Sequence, residues 1–423
     1  MIYKTYKCNS FNVHTIKTDK FKTAHMEIMF RKPVVKEELC AYTFLMDMLS
    51  ESSEKYPLRR DLIVRFEELY KTSAYAITVK TGNVLNCNMI LDFINPGFIE
   101  DKNYLEDIIK LPFELLLKPN VVNEEFDLKQ FNIVKERIIR DINSIKDNAF
   151  KYSVRNAFNS MNPDSPTSYS VLGSLEDVDN ITPSSLYKTY KSLFKECVCD
   201  IFVIGNLDMD GVVSLIKKYF YHRYINTATL DLLVDNSVRK KEIVQSDKSD
   251  NIQANMVMIY NVGNLSDDAR HVTFQVFNYI FGNGGLTSKL YKQIREENSL
   301  CYSISSLYMK YDKLLVIHVS LEDKNVKKAS SLVKKCLKDM TNGDFSDDEL
   351  NDAKLNLVMS LDLAQDNNVS ILNNYVFNIF DNLPDLDKRK ELINKVTRED
   401  VIDVAKKLKL NTIYVLEGKG EEN

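Results

Sequence analysis

The chain has 423 residues, of which 44% are hydrophobic and 27% charged, and its formal net charge at pH 7 is -4. This composition is typical of a globular protein with room for two or three domains. Lys and Arg are spread along the chain, so the charge pattern gives no indication of a nucleic-acid partner. The sequence contains no run of about 18 apolar residues, so no membrane span is predicted. The first residues lack the apolar segment of a signal peptide, and the seven cysteines are scattered, which together predict a cytoplasmic protein with reduced thiols.

The first half of the chain alternates between strand and helix patterns. The apolar periodicity predicts three strands within 1–31, helices at 37–49 and 58–70, strands at 73–81 and 83–93, helical segments at 102–117 and 126–160, a strand at 197–205 and a helix at 208–221. Thr182 followed by Pro183 is typical of a helix start, with Thr as the N-cap and Pro at the first helical position.

The second half repeats this order after a polar stretch. From 223 to 250 the pattern dissolves into polar and charged residues, which indicates a linker. Beyond it the sequence predicts strands at 255–260, 300–306 and 311–321 and helices at 267–281, 286–295, 325–341, 347–364 and 367–380.

Individual residues recur between the halves as well. Phe126 and Lys135 match Phe345 and Lys354 at a constant offset, and the helix start at Thr182 matches one at Thr397. A repeat of about half the chain implies a duplicated domain rather than a solenoid. We therefore predict an α+β protein of two duplicated domains, 1–222 and 251–423, joined by the linker 223–250. Each domain is expected to hold a mainly antiparallel sheet with helices on one face.

The segment 282–306 contains the most distinctive pattern in the chain. Gly282, Gly284 and Gly285 allow the backbone conformations of a tight turn, and a helix pattern and a strand pattern follow. Arg295 closes the helix, and Tyr302 lies seven residues on, inside the strand. A guanidinium and a phenol hydroxyl are thus predicted at neighbouring helix and strand ends.

Several common catalytic motifs are missing. The five histidines include no His-x-x-Glu-His or His-Glu-x-x-His pair that could hold zinc from one helix face. No Gly-x-Ser-x-Gly nucleophile elbow occurs. The glycine segment lacks the Gly-Lys-Ser/Thr order of a phosphate loop, so nucleotide binding is excluded.

The duplicated α+β halves and the Ile-Arg-Glu-Glu-Asn-Ser-Leu-Cys-Tyr-Ser-Ile-Ser-Ser segment resemble the insulinase/pitrilysin-type zinc peptidases, over essentially the whole chain. In that family the first domain carries His-x-x-Glu-His and a third ligand Glu, and the second supplies an Arg/Tyr pair. The resemblance implies that Arg295 holds the substrate backbone and that Tyr302 stabilises the carbonyl oxygen as charge develops on it. Gly284 and Gly285 are placed in the same substrate-binding group.

The first domain departs from the family pattern. Counted by position, the zinc motif falls on Phe44-Leu-Met-Asp-Met48, with Phe44 and Met48 in place of both histidines and Asp47 in place of the general-base Glu. The third ligand position falls near Asp141. Two carboxylates without imidazoles do not make a zinc site of the peptidase kind. We therefore expect no metal and no peptidase activity from this chain alone.

The resemblance implies a non-catalytic subunit that pairs with a zinc-bearing paralogue carrying His-x-x-Glu-His, in a two-chain clamshell that processes peptides or unfolded segments. A peptide could add as a strand to a sheet edge near 73–79. One alternative is a homodimeric scaffold, purely structural or peptide-binding, without peptidase function. A weaker one is a peptidase with a relocated metal.

Overall fold

A computed structural model of the chain describes residues 1–221 and 228–419. The end of the first predicted domain at 222, the start of the predicted linker at 223 and the last residues of the second domain, 420–423, lie outside these ranges.

The chain forms thirteen strands within the described residues. They are β1 (Ile2–Lys7), β2 (Asn12–Lys17), β3 (Thr23–Pro33), β4 (Ser73–Thr81), β5 (Val84–Ile94), β6 (Val121–Val122), β7 (Glu125–Phe126), β8 (Val198–Gly205), β9 (Ile243–Lys248), β10 (Ala254–Val262), β11 (Cys301–Met309), β12 (Leu314–Leu321) and β13 (Leu408–Glu417).

The same ranges contain fourteen α-helices. They are α1 (Leu39–Glu51), α2 (Arg59–Glu68), α3 (Tyr104–Leu117), α4 (Leu128–Ser144), α5 (Ala149–Met161), α6 (Leu175–Asn180), α7 (Pro183–Glu196), α8 (Met209–Tyr219), α9 (Phe274–Asn278), α10 (Val326–Asn342), α11 (Asp347–Leu363), α12 (Asn368–Asp381), α13 (Leu386–Lys395) and α14 (Arg398–Lys406). Two π-helical segments, Ala269–Thr273 and Tyr279–Asn283, flank α9, and a third covers Tyr291–Glu296.

The two main sheets repeat one topology. The first has the order β1-β2-β8-β3-β5-β4 and the second the order β11-β12-β10-β13-β9. Four strand pairs of the first sheet and three of the second are antiparallel, and each sheet has one parallel pair, β2 with β8 and β13 with β9. β4, β5, β3, β8 and β2 therefore correspond in order to β11, β12, β10, β13 and β9. The predicted α+β duplication with mainly antiparallel sheets is confirmed.

Matching helix starts support the same correspondence. Thr182 caps α7 by accepting a hydrogen bond from the backbone N–H of Ser185, and Thr397 caps α14 by accepting one from the N–H of Asp400. In each case the side chain of Ser185 or Asp400 also accepts a hydrogen bond from the backbone N–H of the cap residue. Two N–H groups that a helix start leaves unpaired are thereby satisfied. The N-cap predicted at Thr182 is confirmed.

Strand β9 lies inside the stretch predicted as a linker. Five of its six residues are exposed. Among the described strands it pairs with β13 alone, at the edge of the second sheet. Such a strand has no buried face and therefore no alternation of apolar residues, so the periodicity does not show it. The second repeat thus begins before residue 251, with the counterpart of β2.

The compact units of the chain are not continuous in sequence. One unit comprises 1–143, 170–232 and 365–376, and the other comprises 144–169, 233–364 and 377–423. Helix α5, from the first repeat, packs on the second sheet, where Ala157 and Met161 meet Val257, Ile259 and Tyr414. The opposite face of that sheet is covered by the helices of its own repeat.

A segment of the second repeat likewise packs on the first sheet. The ring of Tyr375 on α12 stacks on that of Tyr3 on β1, with 4.8 Å between the centroids. The domains predicted at 1–222 and 251–423 follow the sequence repeat and stay a prediction, whereas the compact units combine segments of both repeats. Apolar periodicity shows that a helix has an apolar face but not which sheet that face covers. The sequence therefore does not predict that α5 packs on the second sheet and α12 on the first.

Candidate functional site

Helix α1 carries the positions that correspond to the zinc motif, and its apolar members belong to the core. Phe44 and Met48 are 0% and 1% exposed. The ring of Phe44 stacks on Phe131 of α4, with 4.7 Å between the centroids. Leu45 and Met46 are also fully buried. Phe44 and Met48 are therefore packing residues. Their correspondence to the imidazole positions of the resembling peptidases stays a prediction.

Asp47 is held by an arginine from another helix. Arg137 of α4 places Nη2 3.2 Å from Asp47 Oδ2 and Nη1 2.6 Å from Glu51 Oε1, so one guanidinium bridges two carboxylates one turn apart on α1. Arg59 approaches Glu51 at 3.5 Å. Burial raises the pKa of Asp47, and the charge of Arg137 offsets this only in part. Arg137 thus supplies the positive charge that this carboxylate pair requires.

Asp141 lies one turn after Arg137 on α4, near enough to Asp47 that its charge contributes to raising the pKa of that residue. The structure therefore brings these two predicted site residues into electrostatic contact. Their surroundings do not fit zinc, because the imidazole positions are apolar and Asp47 already pairs with a guanidinium. Across residues 1–221 and 228–419 no group of three or more His, Cys, Asp or Glu is placed to hold a metal ion.

Sequence reasoning missed Arg137 and Glu51. The available signal was the pair of acidic residues Asp47 and Glu51, four apart on an otherwise apolar helix, since buried like charges at that spacing require a cation.

The glycine segment of the second unit forms a tight turn. A Cβ on Gly284 would lie 2.6 Å from the carbonyl oxygen of Tyr279, and Gly285 has a φ of +61°. Both positions therefore require glycine, one for close approach and the other for a left-handed backbone. The carbonyl of Tyr279 accepts the N–H of Gly284 at 2.9 Å. The substrate-binding role predicted for these two glycines stays a prediction.

Arg295 lies at the end of the π-helical segment Tyr291–Glu296 and is exposed. Its guanidinium stacks over the ring of Tyr291 at 5.0 Å. The ion pairs found within the described part of the chain do not include it. The helix ends in a tight turn in which Ser299 has a φ of 49° and its N–H binds the carbonyl of Arg295 at 3.0 Å. This turn therefore holds the backbone of Arg295, while its side chain is exposed to solvent.

Tyr302 lies at an irregularity of an edge strand. β11 pairs only with β12, and its register shifts between Cys301 and Ser303, where Tyr302 is the extra residue. Such a bulge redirects a side chain relative to the regular pleat. Tyr302 is 49% exposed. Burial raises the pKa of the neighbouring Cys301 to about 11, and the charge of Arg295 opposes that rise, which places Arg295 beside the start of β11.

The edge strand β4 is the counterpart of β11 in the first unit. Tyr75, Ile77 and Val79, at alternate positions, are 41%, 37% and 41% exposed. Among the strands of the described residues β4 pairs with β5 alone, so its other side is an unpaired edge there. This is the edge near 73–79 that the sequence suggests for strand addition, and an unpaired edge is the surface that this binding mode requires.

His25, on β3 of the first sheet, is buried beside two carboxylates, those of Asp92 and Glu27. His25 Nδ1 is 2.7 Å from Asp92 Oδ1, and Glu27 accepts a hydrogen bond from Asn88 at 2.6 Å. Burial alone would lower the pKa of His25, but the hydrogen bonds and charges of Asp92 and Glu27 outweigh it and raise the pKa to about 9.

Because the pKa of His25 is raised, the folded protein is expected to lose stability as the pH rises. The contribution of His25 is fully present below the unfolded pKa, near 6.5, and is lost as the pH rises towards 9. We expect His25→Gln to lower the free energy of unfolding by up to about 3 kcal/mol at pH 6, with the difference from the parent shrinking by pH 9. Urea unfolding of both proteins between pH 6 and 9 measures this difference. A constant difference across that range would contradict the assignment.

A second buried cluster, in the second unit, surrounds Asp381 at the end of α12. Arg270 donates to Asp381 Oδ1 at 2.8 Å, and Lys310 Nζ lies 3.1 Å from Oδ2. The Asp381 side chain is 7% exposed. Burial would raise the pKa of this carboxyl, but the charges and hydrogen bonds of Lys310 and Arg270 together lower it. Two cations therefore share one buried carboxylate, and Arg270 also pairs with the exposed Asp267 at 3.0 Å.

Known proteins resemble this chain in sequence and in fold. Residues 180–357 match the family described as "Peptidase M16 inactive domain". A solved structure of a conserved protein from Enterococcus faecalis superimposes with a TM-score of 0.93 at 24% identity, covering 100% of both chains. A peptidase M16 inactive domain from Pseudomonas fluorescens superimposes with a TM-score of 0.80 at 16% identity, again over 100% of both. The fold is therefore that of the M16 peptidases.

The sequence comparison is more specific. The chain is 28% identical over 421 residues to the Bacillus subtilis protein described as "Probable inactive metalloprotease YmfF", covering 97% of each. The predicted resemblance to the insulinase-type (M16) peptidases is confirmed, and both the family model and the Bacillus subtilis protein that the chain resembles are described as inactive. No helix in the described ranges is long and apolar enough to cross a membrane.

Proposed function

We propose that this chain is the non-catalytic subunit of a peptide-processing pair, in which a paralogue with an intact His-x-x-Glu-His motif supplies zinc and this chain supplies Arg295 and Tyr302. The observation that carries the proposal is the state of these two side chains. Arg295 is exposed and stacks on Tyr291, and Tyr302 is half exposed on the bulge of an edge strand. Within residues 1–221 and 228–419 neither side chain forms an ion pair or enters the core, so both are available to contact a bound peptide.

The chemistry of the pair suits an acyl substrate. A guanidinium is a fixed fork of N–H donors that can bind peptide carbonyls, and a phenol O–H can donate to an oxygen on which charge develops. The peptide would be held as an added strand along β4, where Tyr75, Ile77 and Val79 present an exposed apolar row. The chain would act in the cytoplasm, which is supported by seven cysteines that are all free of disulfides.

The test is co-expression with a zinc-bearing paralogue from the same genome. The two chains should co-purify, and the pair should cleave an internally quenched peptide. Arg295→Ala and Tyr302→Phe should each slow cleavage by about tenfold or more, the cost of losing one hydrogen bond that acts on developing charge. Arg140→Ala and Tyr221→Phe, which alter other exposed residues of the same types, should leave the rate unchanged.

Each failure has a distinct meaning. Chains that do not associate would overturn the pairing. A pair that associates and cleaves equally well with both site variants would overturn the role of Arg295 and Tyr302, and would favour a scaffold.

A further inference from the structure

Helix α11 carries an exposed apolar row that the fold leaves uncovered. Leu355, Met359 and Leu363 are 58%, 52% and 67% exposed, and their spacing of four residues places them on one face. Only Leu350 and Ala353 of this helix are buried. Apolar side chains aligned on a solvent-facing helix stripe are typical of a surface that another element covers.

The acidic residues of the helix continue the same face towards its N-terminus. Asp348 and Asp352 are exposed and precede Leu355 by seven and three residues, so all lie on one side of the helix. Asp347, Glu349 and Asp362 are already paired with Arg398, Lys292 and Lys390. Asp348 and Asp352, in contrast, form no ion pair within the described ranges. The face is therefore acidic in its first half and apolar in its second.

The first repeat provides an internal comparison. With Phe126 aligned to Phe345, the positions of Leu355, Met359 and Leu363 correspond to Glu136, Arg140 and Ser144 of α4. Glu136 and Arg140 are exposed and approach each other at 3.9 Å. The same helix of the same fold thus accepts a fully polar row at this place, so the apolar row of α11 is not required for folding.

We propose that this face of α11 docks an amphipathic helix of a partner protein, with apolar residues in the first half of that helix and Lys or Arg in the second. An antiparallel arrangement places the apolar halves together and the basic residues opposite Asp348 and Asp352. It also places the basic residues near the C-terminus of their own helix, where the helix dipole favours positive charge. This proposal does not depend on Arg295 or Tyr302.

A second copy of this chain is the less suitable occupant. α11 has five carboxylates, at 347, 348, 349, 352 and 362, and one lysine, at 354, for a net charge of -4. A parallel pairing of two such helices would set Asp348 and Asp352 against the same residues of the copy. An antiparallel pairing would set them against the apolar row, so a second copy supplies no positive charge in either arrangement.

The test uses the full chain and a synthetic helical peptide of eighteen residues. The peptide has leucines at positions 3, 7 and 11 and lysines at 14 and 18, and its binding is followed by fluorescence anisotropy. A matched peptide has glutamates in place of the two lysines, and another has the lysines before the leucines. We expect the first peptide to bind at least about tenfold more tightly than either control and to weaken with added salt.

Variants of the chain locate the binding. The triple variant Leu355→Gln, Met359→Gln, Leu363→Gln should weaken binding at least about tenfold, and Asp348→Asn with Asp352→Asn should remove most of the salt dependence. Val244→Gln with Ile252→Gln alters exposed apolar residues elsewhere in the second unit and should change nothing. All the replaced side chains are exposed, so the variants should unfold at the same urea concentration as the parent.

Three results would overturn the proposal. They are no binding of the leucine–lysine peptide, equal binding of the glutamate peptide, and equal binding by the triple variant. Sedimentation of the chain alone tests the other occupant, since a dimer that the triple variant abolishes would show that a second copy covers this face.

Discussion

Replacing Asp381 with asparagine is expected to lower the free energy of unfolding by about 3–5 kcal/mol, the largest effect of any substitution considered. Asp381 is the carboxylate between Arg270 and Lys310, whose side chains are 10% and 17% exposed. Asparagine keeps the shape and one acceptor but removes the charge. Two buried cations would then face each other without neutralisation, and Asp267, which also pairs with Arg270, is 75% exposed and can compensate little.

Chemical denaturation of the variant beside Asp362→Asn measures this effect. Asp362 pairs with Lys390 but is 57% exposed, so its replacement should cost less than about 1 kcal/mol. Adding Lys310→Met to Asp381→Asn should recover part of the loss, because it removes one of the two unpaired cations. A loss below about 1 kcal/mol for Asp381→Asn, or no recovery in the double variant, would contradict the account.

Replacing Arg137 with methionine is expected to cost about 2–3 kcal/mol, less than a fully buried pair because Asp47 remains 28% exposed. Methionine fills similar space but leaves Asp47 and Glu51 as like charges one turn apart on α1. The matched control is Arg140→Met on the same helix, where the guanidinium is 68% exposed and should contribute little.

The dependence of this loss on pH gives a second readout. Without Arg137 the folded-state pKa of Asp47 should rise further, so the folded variant would hold protons that the unfolded chain has released. Its stability should therefore fall, relative to the parent, as the pH rises from about 4 to 7. If the two arginine variants lose equal stability, or if the difference does not change with pH, the bridge is not the source of the effect.

The sequence predicts the parts of this protein that depend on local pattern and on repetition. The duplicated sheets, the cap at Thr182 and the burial of Phe44 and Met48 all follow from periodicity, capping chemistry or the alignment of the halves. β9 escaped prediction because five of its six residues are exposed, so its sequence has no alternation of apolar residues. The packing of helix α5 on the second sheet could not be predicted either, because the apolar face of a helix does not show which sheet it covers.

The candidate site divides in the same way. The resemblance locates Arg295 and Tyr302, but the bulge that redirects Tyr302 arises from pairing with β12, and the stacking on Tyr291 arises from a π-helical turn. Neither is visible in apolar spacing. Arg137 was missed because its two carboxylate partners lie on a helix more than 80 residues earlier in the chain. Contacts at that separation require the folded arrangement of α1 and α4.

The exchanged helices set an order for folding during synthesis. The first unit includes residues 365–376, which are made more than 130 residues after the previous segment of that unit ends at 232. Its sheet can form earlier, but the place of Tyr375 against Tyr3 stays empty until most of the chain has left the ribosome. Contacts of such long separation form slowly and leave apolar surface exposed in the meantime. A nascent chain stopped before residue 365 would therefore hold a first unit that is assembled in outline and incomplete on one face.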